Sequence, residues 1–244
     1  MKIDVLTLFP EVFDVLKNYS IVGRAISEKK LEISAVNIRD FSEDKHGRVD
    51  DYPYGGGKGM VIKPEPIYSS ILSVRSPNSR IIYLSPQGVP LTQEKVVELS
   101  SENHLILLAG HYEGIDSRVI ESFIDEEISI GDYVLTGGEI PAMVLIDSIA
   151  RLLPGVLASD ESYEIESHYN GLLEYPQYTR PRVFMGMKVP GVLLSGDHEK
   201  ISLWRKLSSL KTTIVKRPDL VSRLKESYGD LDELWMLLDR LSKR

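Results

Sequence analysis

The chain has 244 residues, of which 42% are hydrophobic and 27% charged, with a formal net charge of −7 and no cysteine. That is enough chain for one large domain, or a principal domain with a smaller partner, to bury a core without covalent staples. The missing cysteines exclude disulfides and thiolate metal centres and are compatible with a reducing cytosol.

The N-terminal run KIDVLTLF alternates like a strand. Its Asp4, the nearby Glu11 and the lack of a cleavage-site pattern argue against a signal peptide. LEISAVNI, RIIYLS, HLILLAG and EISIG are further short runs rich in Ile, Leu and Val, expected as strands. Between them PIYSSILSVR and TQEKVVELSS have helical spacing, the second with Thr92 as its expected cap and Glu94 and Glu98 following. Such alternation predicts a mainly parallel sheet covered by helices, with ligands at the carboxyl ends of the strands. A further helix is expected to start near Pro141. Its apolar stretch AMVLIDSIARLL is broken by Asp147 and Arg151 and falls short of the roughly 20 residues of a membrane span, so no membrane partner is expected.

Charge divides the chain more sharply than hydropathy does. Residues 1–160 hold 15 Lys and Arg against 24 Asp and Glu, whereas Tyr175 to Lys225 hold 11 basic and 3 acidic residues, a local net of +8. Such a run is either a solvated helix face or the footprint of a polyanion. The segment LASDESYEIESHYNGLLEYPQYTRPR is polar and weakly periodic, and beyond it HEKISLWRKLSSL, DLVSRLKES and DLDELWMLLDRLSKR have helical spacing. The expected organisation is an α/β domain over 1–157, a flexible linker over 158–172 and a basic helical domain over 173–244.

Three stretches follow predicted strands: LSPQG (84–88), AGHYEGID (109–116) and SIGDYVLTGGE (129–139). In a parallel sheet all three leave at one edge and converge. They carry neither a dinucleotide fingerprint nor the Gly-Lys-Ser/Thr of a P-loop. Their glycines, backbone polar groups and apolar Ile130, Tyr133 and Leu135 suit a heterocycle and a thioether better than a phosphate. In DYPYGGGKGM, Lys58 is followed by Gly59, so the metal-binding hydroxyl of a P-loop is missing and a flexible loop is the plain reading. Upstream, DKHGRVDD crowds His46 and Asp50 among other charges, as a solvated loop would. The five histidines lack zinc-ligand spacing, and no nucleophile elbow occurs. Asp147 and Arg151, four apart on one helix, read as an intrahelical ion pair, and the acidic run Asp125-Glu126-Glu127 reads as solvent-facing.

LTLFPEVF, DKHGRVDDYPYGGGKGM, YLSPQG, GHYEGIDSRV, IDEEISIGDYVLTGGEIPAMVLIDSIARLLPGVL, GLLEYPQYTRP and VPGVLLSGDHEKISLWR closely resemble the bacterial tRNA (guanine-N1)-methyltransferase family, in order and over nearly the whole chain. The resemblance implies a SPOUT-type α/β fold with a mainly parallel sheet and a C-terminal trefoil knot, a rare exception to unknotted chains, plus a small all-helical C-terminal domain. It implies a cytoplasmic homodimer whose active site is shared between subunits. The methyl donor it implies is S-adenosylmethionine, held by Leu84, Ser85, Pro86, Gly110, Ser129, Ile130, Gly131, Asp132, Tyr133, Val134, Leu135, Gly137, Gly138 and Pro141. The implied substrate is the guanosine immediately 3′ of the anticodon in tRNA, methylated at N1, with His46, Asp50, Lys58, Gly59, Tyr112, Glu113 and Ser167 on the substrate side.

By the same resemblance Arg151 stabilises charge developing on guanine O6, which displaces the ion-pair reading. Glu166, followed by Ser167, stands where the family has the aspartate that acts as base. The glutamate keeps the carboxylate and adds a methylene, and a misplacement of about 1 Å costs a catalytic group on the order of 100-fold; Asp160 and Glu164 are the alternative bases. Lys58 stands where the family commonly has proline. Mg2+ is associated with activity in the family, with Glu113 as the candidate for its effect, and no residue pattern here identifies a metal site. The alternatives at this stage are another SPOUT RNA methyltransferase and a tRNA-binding homologue that has lost catalysis.

Overall fold

The apolar runs of the first two thirds pair as expected in the computed structural model, which describes residues 1–157, 163, 166–221 and 236. The strands are β1 (Lys2–Thr7), β2 (Glu32–Asn37), the two-residue β3 (Asp50–Asp51) and β4 (Val61–Ile62), β5 (Ser79–Pro90), β6 (His104–Ala109) and β7 (Glu126–Ser129). Five of them form one sheet in the order β2-β1-β6-β5-β7, every pair parallel, and β3 pairs antiparallel with β4. Helices α1 (Ser20–Ser27), α2 (Pro64–Val74), α3 (Gln93–Ser100), α4 (Ser117–Phe123) and α5 (Glu139–Ala150) complete this unit.

Strand alternation sends Ile3, Val5, Ile82, Leu84, Leu105 and Leu107 to one face, where they pack with apolar residues of α1, α3 and α5. Leu6, Ile81, Tyr83, Ile106 and Leu108 face the other way, towards α2 and α4. Burial on both faces is why these strands read as continuous apolar runs. Thr92 caps α3 as expected, its Oγ1 accepting from Lys95 N at 3.3 Å.

Three expectations are corrected. LSPQG is not a loop after a strand but a kink inside β5: the register shifts between Leu84 and Val89, and both residues stand opposite Ile128 of β7. Gly88 allows the kink, because a Cβ there would overlap the backbone of Glu127 and Ile128. Helix α5 starts at Glu139 with Gly138 as N-cap, two residues before Pro141; proline still loses nothing there, since the first turn has no intrahelical acceptors for its N–H groups. The acidic run does not face solvent freely. Glu126 lies 2.6 Å from Arg80 and 2.8 Å from Lys95, and Asp125 accepts from the Ile81 N–H at 2.7 Å, tying β7 to β5 and α3.

The chain divides into two compact units, Met1–Asp160 and Glu161–Arg244. In the second, α6 (His198–Lys216) is capped by Asp197, which accepts from Lys200 N at 3.1 Å. Thr213 of α6 is buried and its Oγ1 accepts from Leu173 N at 2.8 Å, fastening the segment after the expected linker to this helix. A short antiparallel hairpin, β8 (Val183–Phe184) and β9 (Met187–Lys188), precedes it, so the segment expected to be all-helical is not. The helices expected over 219–227 and 230–244 fall almost entirely outside the described residues, as do Asp160 and Glu164 and most of the first half of the expected linker. Among the described residues no helix is long and apolar enough to cross a membrane.

At the amino end of the sheet His104 Nε2 lies 2.7 Å from the buried Asp4 carboxylate, while its Nδ1 meets Ser79 Oγ at 2.8 Å. These bonds join β1, β5 and β6 at the starts of the strands. His104→Ala leaves the buried carboxylate with Lys2 Nζ, at 2.7 Å, as its remaining side-chain partner and should lower stability by about 1–2 kcal/mol. Urea unfolding followed by circular dichroism checks this; an unchanged midpoint would show the network to be dispensable.

Candidate functional site

All five strands of the main sheet end at one edge, and there the segments after β5's first half, β6 and β7 enclose a cleft with a cavity volume of about 220 Å³. Leu84, Ser85 and Pro86 form one wall, Gly110, Tyr112 and Glu113 a second, and Ser129, Ile130, Gly131, Tyr133, Val134, Leu135, Gly137, Gly138 and Pro141 the third. Of the residues expected to hold the donor, only Asp132 lies outside this lining.

Local bonding fixes each wall. Ser85 Oγ accepts from Gln87 N at 3.1 Å inside the β5 kink. Ser129 Oγ donates to Gly131 O at 3.0 Å and accepts from Gly131 N at 3.2 Å, closing a tight turn after β7. Gly138 N donates to Gly110 O at 2.8 Å, clipping the third wall to the second. The contact is so close that a Cβ on Gly138 would sit 2.6 Å from Ala109 Cα. Behind it, Thr7 Oγ1 at the end of β1 donates to Glu139 Oε1 at 2.8 Å. The buried Glu139 carboxylate opens α5, where the N-terminal end of the helix dipole favours negative charge.

Tyr133, Val134 and Leu135 project unburied apolar surface, 55%, 83% and 38% exposed. Among the described residues Glu113 is the one charged side chain in the lining, and no Lys or Arg lines the cleft. Burial, with a smaller push from the Glu127 carboxylate, raises the Tyr83 phenol to about 12. Tyr83 therefore stays a protonated donor throughout the neutral range.

The expected substrate-side residues divide. Tyr112 and Glu113 line the cleft, and Gly59 abuts it, since a Cβ on Gly59 would overlap the Glu113 carboxylate. Glu113 N donates to Met60 O at 3.0 Å, holding that loop against the cleft. Asp50 lies in β3 opposite Ile62. Lys58 and His46 are exposed, the His46 N–H bonding Asp44 Oδ1 at 2.8 Å. Arg151 ends α5, its backbone N–H donating to Asp147 O at 3.4 Å. Glu166 and Ser167 belong to the second unit, where Ser167 Oγ accepts from Glu174 N at 3.0 Å.

Sequence reasoning missed Tyr83, Gln87, His111, Gly114, Ile128 and Thr136 as lining residues. Most lie within the three stretches already singled out, so the signal was present; Tyr83 and Ile128 lie in strands and read as core. Among the described residues no group of three or more His, Asp or Glu side chains is placed to hold a metal ion.

A family model described as tRNA (Guanine-1)-methyltransferase TrmD matches residues 1–223. A protein named tRNA (guanine-N(1)-)-methyltransferase from Ruminiclostridium cellulolyticum is 60% identical over 227 residues, covering 92% of this chain and 97% of its own. Proteins of the same name from Dictyoglomus turgidum, 53% identical over 243 residues and covering 100% and 97% of the two chains, and from Staphylococcus carnosus, 54% identical over 224 residues and covering 91% of each, are similar throughout.

Gly138→Ala must push the third wall off the second. Overpacking of this kind costs about 2 kcal/mol, so calorimetry should find S-adenosylmethionine bound about 30-fold more weakly than by the native chain. Unchanged affinity would show that this contact does not shape the ligand site.

Proposed function

The chain belongs to the tRNA (guanine-1)-methyltransferase TrmD family, and from that membership we propose that it is an enzyme that methylates N1 of the guanosine immediately 3′ of the anticodon in tRNA, with S-adenosylmethionine as donor. The observation that carries this reading is the meeting, in one cleft at the carboxyl edge of a parallel sheet, of the three segments that the family resemblance assigns to the donor.

The lining fits that donor. Apolar Ile130, Tyr133, Val134 and Leu135 offer surface to an adenine ring and a thioether, Gly110, Gly137 and Gly138 bring backbone to the cleft wall, and a Cβ at Gly138 would fill the space between two walls. Bound there, the donor supplies an electrophilic methyl group on a sulfonium, so no covalent enzyme intermediate is needed. The chain's own residues must then make guanine N1 nucleophilic. That nitrogen carries a proton, which the Glu166 carboxylate takes as general base. Negative charge moves towards O6, where the Arg151 guanidinium stabilises it. Lys58 and Gly59, on the loop held beside Glu113, present the nucleoside together with His46 and Asp50. No ligand set for the Mg2+ associated with the family is assembled among the described residues, and no step above uses one.

Arg151 also bears on assembly. Helix α5 begins at the cleft and runs 12 residues away from it, about 18 Å. Beyond its end, Gly155 O accepts from Lys30 Nζ, just before β2, at the opposite edge of the sheet. A guanidinium there serves the cleft of a second copy, which supports a homodimer with shared sites. Val15, Tyr19, Ile140 and Val144, 57%, 54%, 54% and 40% exposed, offer apolar surface for that contact. The continuation of β5 past Gly88 along β7, and the clip between Gly138 and Gly110, support a chain threaded through a trefoil knot at this site. Residues 1–157 act as the donor-binding domain, 158–172 as a linker and 173–244 as a basic domain that grips tRNA, a substrate that places the enzyme in the cytoplasm.

The direct assay is single-turnover transfer of labelled methyl to a tRNA transcript, with the product digested to nucleosides. 1-Methylguanosine 3′ of the anticodon is expected, Glu166→Gln should slow its formation by about 10²–10⁴-fold, and Glu166→Asp should retain activity. A slow native protein accelerated by Glu166→Asp would instead mark a catalytically impaired homologue. Sharing of the site is tested by mixing: Arg151→Ala and Gly138→Val chains, each inactive, should regain activity when co-refolded, because one mixed site has both parts intact. No recovery would place Arg151 and the cleft it serves in the same subunit.

A further inference from the structure

Residues 176–188, PQYTRPRVFMGMK, are exposed without interruption, although β8 and β9 pair within them. The hairpin is closed by Met185 and Gly186 at φ 48° and 81°, the left-handed pair of a tight two-residue turn. At and beside that turn Val183, Phe184, Met185 and Met187 are 51%, 59%, 83% and 64% exposed. A two-stranded hairpin is marginal in water, and four neighbouring apolar side chains on one tip ask for a cover. Arg180, Arg182 and Lys188 flank the tip, no acidic residue occurs in the segment, and no ion pair of these three cations occurs among the described residues.

We propose that this hairpin is a nucleotide-stacking element for the tRNA substrate, with the Phe184 ring against an unpaired base of the anticodon loop and Arg180, Arg182 and Lys188 on the flanking phosphates. The inference rests on the tRNA reading above and deepens it. Unpaired bases present flat apolar faces that aromatic side chains cover, and the neighbouring phosphates select cations without carboxylate partners. A basic ribbon with an aromatic, flexible apolar tip matches both halves of that ligand; Met185 and Met187 can adapt to whichever base is presented.

Phe184→Tyr keeps the flat ring and Phe184→Leu keeps apolar surface without it, so the pair separates base stacking from general apolar docking. Filter binding to a tRNA transcript and steady-state transfer should show Phe184→Leu about tenfold weaker in Kd and KM for tRNA, Phe184→Tyr within about twofold of native, and KM for S-adenosylmethionine unmoved in both. Circular dichroism and sedimentation of each variant report its fold and oligomeric state. Equal tRNA binding by the two variants and the native chain overturns the inference alone. Dissociation of the dimer by Phe184→Leu, with tRNA affinity lost only in proportion, overturns it in favour of a second copy as the cover. A native protein that neither binds nor methylates tRNA removes the functional reading and this inference together.

Discussion

Backbone packed directly on backbone at the carboxyl edge of a parallel sheet is the constraint from which the rest of the structure follows. Gly88 lies against Glu127 and Ile128, and Gly138 against Ala109 and Gly110, each without room for a Cβ. The first contact lets β5 kink at Ser85–Gly88 and still continue along β7. The second fixes where α5 begins, and hence that its far end, with Arg151, lies at the other edge of the sheet. Cleft and helix direction are two consequences of the same close approach.

Electrostatics then divides labour along the chain. The first 160 residues carry a net of −9 and a cleft whose one charged lining residue is Glu113. A sulfonium donor, as proposed, suits an acidic unit whose described cleft lining carries Glu113 and no Lys or Arg. The basic stretch from Tyr175 to Lys225, with a local net of +8, carries the charge that a phosphate backbone would select. In the proposed mechanism a carboxylate and a guanidinium act together on guanine N1, with Arg151 drawn from the first unit and Glu166 from the second.

Much of this was legible in the residues, for reasons that also explain what was not. Strands buried on both faces announce themselves as apolar runs, and Thr92 declares its helix through local chemistry. The kink in β5 is invisible locally because its cause, Ile128, is 40 residues away. Asp125–Glu127 looked solvent-facing because Arg80 and Lys95, which hold Glu126, come from other elements. In the cleft, the glycine-rich stretches were readable as a group, whereas Tyr83 and Ile128 looked like core, since a strand residue next to a pocket has the same composition as one beneath it. The β8–β9 hairpin escaped notice because its apolar run promises burial and its exposure is a property of the fold.

Amide hydrogen exchange with and without S-adenosylmethionine tests most directly whether the three segments are one ligand site. Joint protection of the amides in 84–88, 110–114 and 130–138, with the β8–β9 hairpin unaffected until tRNA is added, is the expected result. Protection confined to one segment, or lying elsewhere in the chain, would contradict a donor site built by their convergence.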